Sequence, residues 1–328
     1  MYVVTGGAGF IGSNLLAALE ERADGPLVVV DRLRSNDKWR NIAKREIAEI
    51  VAPEQMFPFL DENRARIKMI FHMGAISATT ETNADLIVAN NYNLSSLLFD
   101  WCTKHRVRLV YASSAATYGD GSQGFDDDFG IAPLSQLQPL NAYGWSKHLF
   151  DRRLARKVAE DAALPPQWAG LKFFNVYGPN EYHKAGQQSV VAQIQPPAAD
   201  GAPAHLFRSH NPNYADGGQM RDFVWVGDVV SVMMWLLENP GVNGLFNLGS
   251  GQARSFLDLA NAVYRSMGKE PYIKFVDTPL AIRDKYQYFT EARMDRLKAA
   301  GYDKPFTSLE EGVSAYVDGY LSRPDRYR

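Results

Sequence analysis

The stretch YGWSK places a tyrosine at 143 and a lysine at 147, and side chains four residues apart on a helix share one face. A phenol with a pKa of about 10 is a poor base at neutral pH, whereas an ammonium fixed beside it favours the phenolate. Tyr143 and Lys147 are therefore candidates for general acid/base chemistry at an alcohol carbon. Alone, this spacing is also that of an ordinary surface pair. It gains meaning from RLVYASS (108–114), a strand-like run that ends at Ser113 and Ser114, because ligands of a doubly wound sheet lie at the carboxyl ends of its strands. Ser114 is the candidate donor to the reacting oxygen, while Ser113 reads as a cap or turn residue.

Alcohol chemistry of this kind needs a hydride carrier. TGGAGFIG (5–12) directly follows the run YVVT (2–5) and opens a helix-period stretch. Gly6, Gly9 and Gly12 permit a tight turn, a close backbone approach to a pyrophosphate and helix-on-strand packing, with phosphate at the helix N-terminus. The second run, LVVV (27–30), ends at Asp31, about 20 residues further on, where a carboxylate meets an adenosine ribose. Asp31 alone favours NAD. Arg32 and Lys38 follow closely and either can pair with a 2′-phosphate, so NADP and NAD both remain open. The competing reading is a glycine-rich turn with no ligand.

The elements that must position these groups follow a clear rhythm. β-Branched runs at 2–5, 27–30, 68–73, 108–114 and 171–176 alternate with helix-period stretches at 10–22, 85–105 and 142–160. That alternation predicts βαβ units. The expected fold is α/β, a doubly wound parallel sheet of Rossmann type over residues 1–175. After Asn175 the texture turns to loops rich in Pro, Gly, Asn and His, with a helical stretch near 188–196. FVWVGDVVSVMMWLLEN (223–239) and FNLGS (246–250) read as a return to the sheet at about 222–249. Residues 176–221 and 250–328 then form a smaller, mixed α/β substrate lobe.

Composition excludes several alternatives. With 35 Lys+Arg against 37 Asp+Glu the formal charge is −2, and no block of like charge offers a footprint for nucleic acid or an anionic membrane. No apolar stretch reaches the roughly 18 residues of a membrane span, and MYVVTGGAGF lacks a secretory pattern. The single cysteine, Cys102, permits no internal disulfide and no cysteine-rich metal site, and it sits in SLLFDWC as an expected buried bystander. No metal is expected, and the expected location is cytoplasmic.

TGGAGFIG, YASSAATYG, YGWSK and FFNVYGP, in this order and spacing, resemble the extended branch of the short-chain dehydrogenase/reductase superfamily, whose members act mostly on nucleotide sugars. Dehydratases of that branch carry an Asp-Glu pair after the active-site hydroxyl residue, whereas Ala115-Ala116 follow Ser114 here. Water elimination is therefore disfavoured. HMGAISATTET (72–82), NNYN (90–93), NVYGPNEYHK (175–184), RDFVWVGDV (221–229), YQYFT (286–290) and AAGYDKPF (299–306) further resemble the ADP-glyceromanno-heptose 6-epimerase family. Agreement is weaker in 44–66, 120–135 and 186–219. The resemblance implies inversion at C6″ of an ADP-heptose, for the lipopolysaccharide inner core, with one tightly held NADP (NAD possible) per subunit and a homo-oligomeric assembly. Another nucleotide-sugar oxidoreductase, a UDP-hexose 4-epimerase or a non-catalytic dinucleotide-binding regulator are the alternatives.

Inversion through a ketone imposes a geometric demand. The hydride carrier is fixed, so the substrate end must turn, and its oxygen then leaves the reach of the first base, since proton transfer needs contact at about 2.6–3.2 Å. The resemblance assigns the second base to Lys184. By residues alone it is a loop lysine, and a partly desolvated site beside Lys147 and Arg221 would lower its pKa. The resemblance also implies cofactor contacts at Phe10, Ile11, Asp31, Arg32, Lys38, Met73, Gly74, Ala75, Ile76, Ser77, Asn90, Lys147, Val176 and Lys184. It implies substrate contacts at Ser114, Asn175, Gly186, Gln193, Phe207, Arg208, Ser209, His210, Arg221 and Tyr286. Gln193 stands where the family pattern has histidine and Pro53 where it has lysine, and LFRSH (206–210) matches by position only. Plainer roles compete at several positions: a strand-packing residue for His72, a helix cap for Asn90, an ion pair with Asp222 or Asp228 for Arg221, and a half-buried ring for Tyr286.

Overall fold

The computed structural model describes residues 1–283 and 286–328. Its strands are β1 (Tyr2–Thr5), β2 (Leu27–Val30), β3 (Glu49–Val51), β4 (Met69–His72), β5 (Arg108–Ser114), β6 (Trp168–Phe173), β7 (Asn175–Tyr177), β8 (Ala204–Phe207), β9 (Met220–Trp225), β10 (Gly244–Leu248), β11 (Ala253–Ser255) and β12 (Ile273–Val276). Seven of them form one parallel sheet in the order β3-β2-β1-β4-β5-β6-β10. Every residue of β1 and β2 is buried, as a sheet covered on both faces requires. Leu15, Leu16 and Leu19 of helix Phe10–Arg22 share one face with Val229, Met233 and Leu236 of helix Val226–Glu238. Leu60, Leu98, Phe99, Phe150 and Leu154 cover the other face, from helices Met56–Asn63, Leu94–His105 and Ala142–Ala159. Cys102 is wholly buried among them.

Two elements depart from the spacing-based expectation. The run 171–176 is not one strand: it breaks at buried Phe174, whose N–H donates to Leu248 O at 3.1 Å. β6 stays in the large sheet, whereas β7 enters a three-stranded sheet of order β11-β9-β7, parallel to β9, which is antiparallel to β11. The switch puts Asn175 and the loop after it over the ends of the large sheet. The helix expected over 85–105 begins as Ala84–Ile87, runs as a π-helix over Val88–Asn93 and resumes as Leu94–His105. The wider turn aims Asn91 inward. Its side chain accepts from Ile76 N at 2.8 Å and donates to Ile76 O at 3.0 Å and Ser146 Oγ at 3.1 Å. Asn83, not Asn90, caps the helix start, accepting from Leu86 N at 3.0 Å.

The second lobe packs Val191, Ile194, Leu259, Val263, Val313 and Tyr316 into its own core. β9 lies in its three-stranded sheet, and the chain rejoins the large sheet through helix Val226–Glu238 and β10. β8 and β12 pair beside this core.

A Cβ at Gly12 would fall on the Gly6 carbonyl oxygen and stand 2.9 Å from Gly7 Cα, all backbone atoms of the opening turn. Gly12→Ala is therefore expected to cost about 1–3 kcal/mol by overpacking and to lower bound dinucleotide in the purified protein. Both are measurable by denaturant unfolding and by extraction of the cofactor.

Candidate active site

A cavity of about 660 Å³ opens at the carboxyl ends of the large sheet. Gly6, Gly9, Phe10, Ile11 and Gly12 line one wall. Helix Phe10–Arg22 starts there behind Gly9 with no side-chain cap, leaving its first N–H groups for an anion. Gly6 holds φ +65°, and a Cβ there would stand 2.7 Å from Gly74 Cα. The turn thus presses backbone against the stretch Met73 to Ser77, which lines the same cavity with Val176 and Lys147.

Asp31 accepts from Ala8 N at 3.0 Å, from Arg32 N at 2.7 Å and from Lys38 Nζ at 2.5 Å. A smaller cavity of about 100 Å³ continues past it, lined by Arg32, Arg34, Lys38, Pro53 and Asn90. Arg32 pairs with Glu54 at the surface. The uncapped helix start, a cradle that side chains would fill and a carboxylate at the end of β2 together fit a nicotinamide dinucleotide.

The acid/base residues are placed by close packing. Asn141 caps helix Ala142–Ala159 through Gly144 N at 2.8 Å, and a Cβ on Gly144 would stand 2.5 Å from Ala116 O. That contact sets the helix start against the turn after β5, so Tyr143 meets Ser114. Burial raises the Tyr143 pKa and the hydrogen bond with Ser114 lowers it. Lys147, one turn further along the same helix, lines the same cavity as Tyr143 and Ser114. Lys147 is 3% exposed; burial lowers its pKa to about 8 against the opposing pull of Asp151, one turn further on.

Asp151 is wholly buried and accepts from Ser113 Oγ at 2.7 Å and Tyr111 OH at 3.1 Å. Ser113 is therefore an anchor for Asp151, not a cap or turn residue. Lys172, buried on β6, donates to Thr117 Oγ1 at 3.0 Å and also feels Asp151. His72 is a packing residue: it meets Thr5 Oγ1 at 2.7 Å and Ser95 Oγ at 2.9 Å, and burial drives its pKa to about 3.

Lys184 enters from the other lobe. The loop after β7 turns through Asn180 (φ 72°), forms a short helical turn over Tyr182–Gln187 and kinks at Ala185 (φ 48°). Buried Glu181 pins it, accepting from Ser189 Oγ at 2.6 Å and Tyr316 OH at 3.1 Å. The Lys184 ammonium lies 4.9 Å from the Phe10 ring centroid and lines the same cavity as Tyr143 and Ser114. Its pKa is lowered by burial and raised by Glu181. The direction and the desolvation match the expectation, and Glu181 is the charge that opposes the shift.

Asn175, exposed at the start of β7, lines the cavity, as do Phe223 and Phe256. Arg221 is 9% exposed and stacks between Phe256 at 5.6 Å and Tyr286 at 5.3 Å. Neither expected carboxylate pairs with it: Asp222 accepts from Ser250, Gly251 and Ala292 N–H groups, and Asp228 from Thr307. No ion pair to Arg221 occurs among the described residues. Phe207 packs edge-on against Tyr286 at 6.1 Å.

Of the expected substrate contacts Ser114 and Asn175 line the cavity; Phe207, Arg221 and Tyr286 form the stacked group outside its lining, and five more lie elsewhere. Gly186 and Gln193 are exposed, and Gln193 donates to Gln188 O at 2.6 Å. Arg208 faces Asp277 at 3.8 Å, Ser209 N donates to Asp216 at 2.8 Å, and His210 N donates to Tyr288 OH at 2.9 Å. None of the residues 208–210 lines the cavity. Sequence reasoning missed Asn91, Asp151, Glu181 and Phe256. Asp151 alone carried a local signal, standing four residues after Lys147 on the same helical stripe.

Residues 2–249 match the NAD dependent epimerase/dehydratase family. A curated relative from Nitratidesulfovibrio vulgaris (strain DP4), named ADP-L-glycero-D-manno-heptose-6-epimerase, is 48% identical over 329 residues, covering 100% of both chains. One of the same name from Fusobacterium nucleatum is 42% identical, again over 100% of both. The crystal structure of Helicobacter pylori ADP-L-glycero-D-manno-heptose-6-epimerase superposes with a TM-score of 0.78 at 26% identity, covering 97% of this chain and 95% of that one. The family match over residues 2–249 and the full-length relatives place the chain in the NAD dependent epimerase/dehydratase family, within its ADP-L-glycero-D-manno-heptose-6-epimerase branch.

Proposed function

We propose that the protein inverts C6″ of ADP-D-glycero-D-manno-heptose to give the L-glycero epimer, through a transient 6″-ketone, for assembly of the lipopolysaccharide inner core. The observation that carries this reading is the convergence of two acid/base candidates from different elements, Tyr143 beside Ser114 and Lys184 beside Phe10, on one cavity with the glycine turn. Bound NADP, or NAD, supplies hydride acceptance and return. Tyr143 takes the hydroxyl proton in one substrate pose while Ser114 holds the oxygen. Lys147, kept charged by Asp151, supports the phenolate. In the turned pose Lys184 exchanges the proton with the oxygen presented on its side. Burial lowers the Lys184 pKa, which brings proton exchange closer to neutrality than an ordinary lysine allows.

Asn175 is assigned to the sugar. Arg221 is assigned to the diphosphate: a buried guanidinium near two rings, with no carboxylate partner among the described residues, is a fork for anionic oxygens. Arg221→Ala is expected to raise KM for the nucleotide sugar about tenfold or more while kcat changes by less than about threefold. Steady-state kinetics checks this split. Arg32, Arg34 and Lys38 set three cations beside one carboxylate at the smaller cavity, which supports NADP, and mass spectrometry of cofactor released by denaturation identifies it. We place the enzyme in the cytoplasm as a homo-oligomer; exposed Leu97 and Trp145 support an apolar subunit contact.

An epimerase returns its hydride within each cycle. Supplied with the substrate and no added cofactor, the protein is expected to turn over with no net absorbance gain at 340 nm. A steady rise on adding oxidised cofactor, with a ketone or acid as product, would identify a one-way oxidoreductase instead.

A further inference from the structure

The turn that carries Lys184 is supported unevenly. On its far side Ala185, Gly186 and Gln187 are exposed, and a Cβ on Gly186 would meet nothing within 4 Å. On its near side the backbone is tied at several points. Asn14 donates to Pro179 O at 2.9 Å, and Asn41 donates to Asn180 O at 2.9 Å and meets His183 Nδ1 at 3.1 Å. Beyond the exposed residues Gln188 donates to Tyr182 O at 2.8 Å and Ser189 Oγ to Glu181 at 2.6 Å, so both ends of the turn are held through the segment 179–183.

A third tie reaches that segment from residues 325–328. Tyr182 OH donates to Arg326 O at 2.8 Å, the Arg326 guanidinium lies 4.3 Å over the Tyr182 ring, and the Tyr327 ring meets it edge-on at 5.3 Å. Arg328 N donates to Asn180 Oδ1 at 3.0 Å. The segment is itself moored, since Lys44 Nζ contacts Asp325 and Tyr327 O, each at 2.6 Å. Asp325 and Arg326 are exposed, so this segment is no part of a core. Its polar contacts converge on the base of one turn.

We propose that residues 325–328 form a strap that fixes the Lys184 turn, making Tyr182, Arg326 and Tyr327 positioning residues for the second proton-exchanging group. The catalytic side of the inference rests on the proposed epimerisation; the mechanical side does not. Displacing a reacting group by about 1 Å can cost about 10²-fold in rate, so exposed residues can govern turnover without touching substrate.

The test compares wild type with Arg326→Ala/Tyr327→Ala and with the milder Tyr182→Phe. Two quantities are read: kcat and KM for inversion, and the acetylation rate of Lys184 by acetic anhydride, followed by peptide mass spectrometry relative to Lys68. The double variant is expected to lose about tenfold in kcat with KM within about twofold, while Lys184 acetylates several-fold faster and Lys68 does not change. Tyr182→Phe should show the same pattern more weakly. Unchanged Lys184 labelling, unchanged kcat, or a parallel rise at Lys68 that marks general loosening would each overturn the strap. If wild type inverts no heptose yet the labelling difference appears, the epimerase reading fails and the mechanical tie stands.

Discussion

Lys184→Met is expected to lower inversion turnover by about 10²- to 10⁴-fold, the range that a positioned general acid or base supplies. Substrate KM and cofactor content should stay close to wild type. Methionine keeps the length of the side chain and a favourable contact with the Phe10 ring, over which the ammonium now lies at 4.9 Å. Glu181 keeps its bonds from Ser189 and Tyr316, so the loop retains its anchor. A turnover near wild type would show that one base serves both poses and that Lys184 is a wall residue. The measurement is a discontinuous assay of both C6″ epimers, with unfolding midpoints recorded alongside.

Tyr143→Phe is expected to lower turnover at least as far, because it removes the group that exchanges the proton in the other pose while leaving the Ser114 hydroxyl without its phenol partner. The pH profile separates this residue from its neighbours. Lys147 titrates at about 8. Below that value it is charged and supports the phenolate; above it the charge is lost, so kcat is expected to fall as pH rises through about 8. Lys147→Met should remove that limb as well as much of the rate. Asp151 opposes the loss of the Lys147 proton, so Asp151→Asn should move the limb to lower pH. A profile flat from pH 7 to 9 would contradict the role given to Lys147.

How far the molecule could be read from its residues depended on whether local pattern or distant pairing decided each feature. β1, β2 and β5 were legible because strands buried on both faces are continuous β-branched and aromatic runs, and their ends fixed where Gly6, Asp31 and Ser114 would lie. β3 was not, since it has three residues and Ile50 is 49% exposed. The break at Phe174 was hidden for a similar reason: FFNV is uniformly strand-like, and only pairing with β9 decides where β7 leaves the large sheet.

The site followed the same division. Tyr143, Lys147 and Asp31 follow from fixed spacings within one helix or one βαβ unit. Lys184 needed the family resemblance, because nothing local distinguishes it from a solvated loop lysine, and its burial depends on Phe10 and Glu181. For Arg221 an ion pair with Asp222 or Asp228 competed with a substrate contact, but both carboxylates are consumed by loop N–H groups and Thr307. Residues 208–210 followed the chain order of the family yet bond to Asp216 and Tyr288 outside the cavity lining, partners that no local pattern identifies.

On the proposed mechanism one cavity presents a proton-exchanging group to each face of the same carbon. The most direct test incubates the purified protein, with no cofactor added, with ADP-D-glycero-D-manno-heptose and follows the C6″ proton and carbon signals by NMR. Conversion to a mixture of both C6″ epimers, with every other centre unchanged, is expected. Retention of the single starting epimer, in protein shown to hold its dinucleotide, would contradict the mechanism.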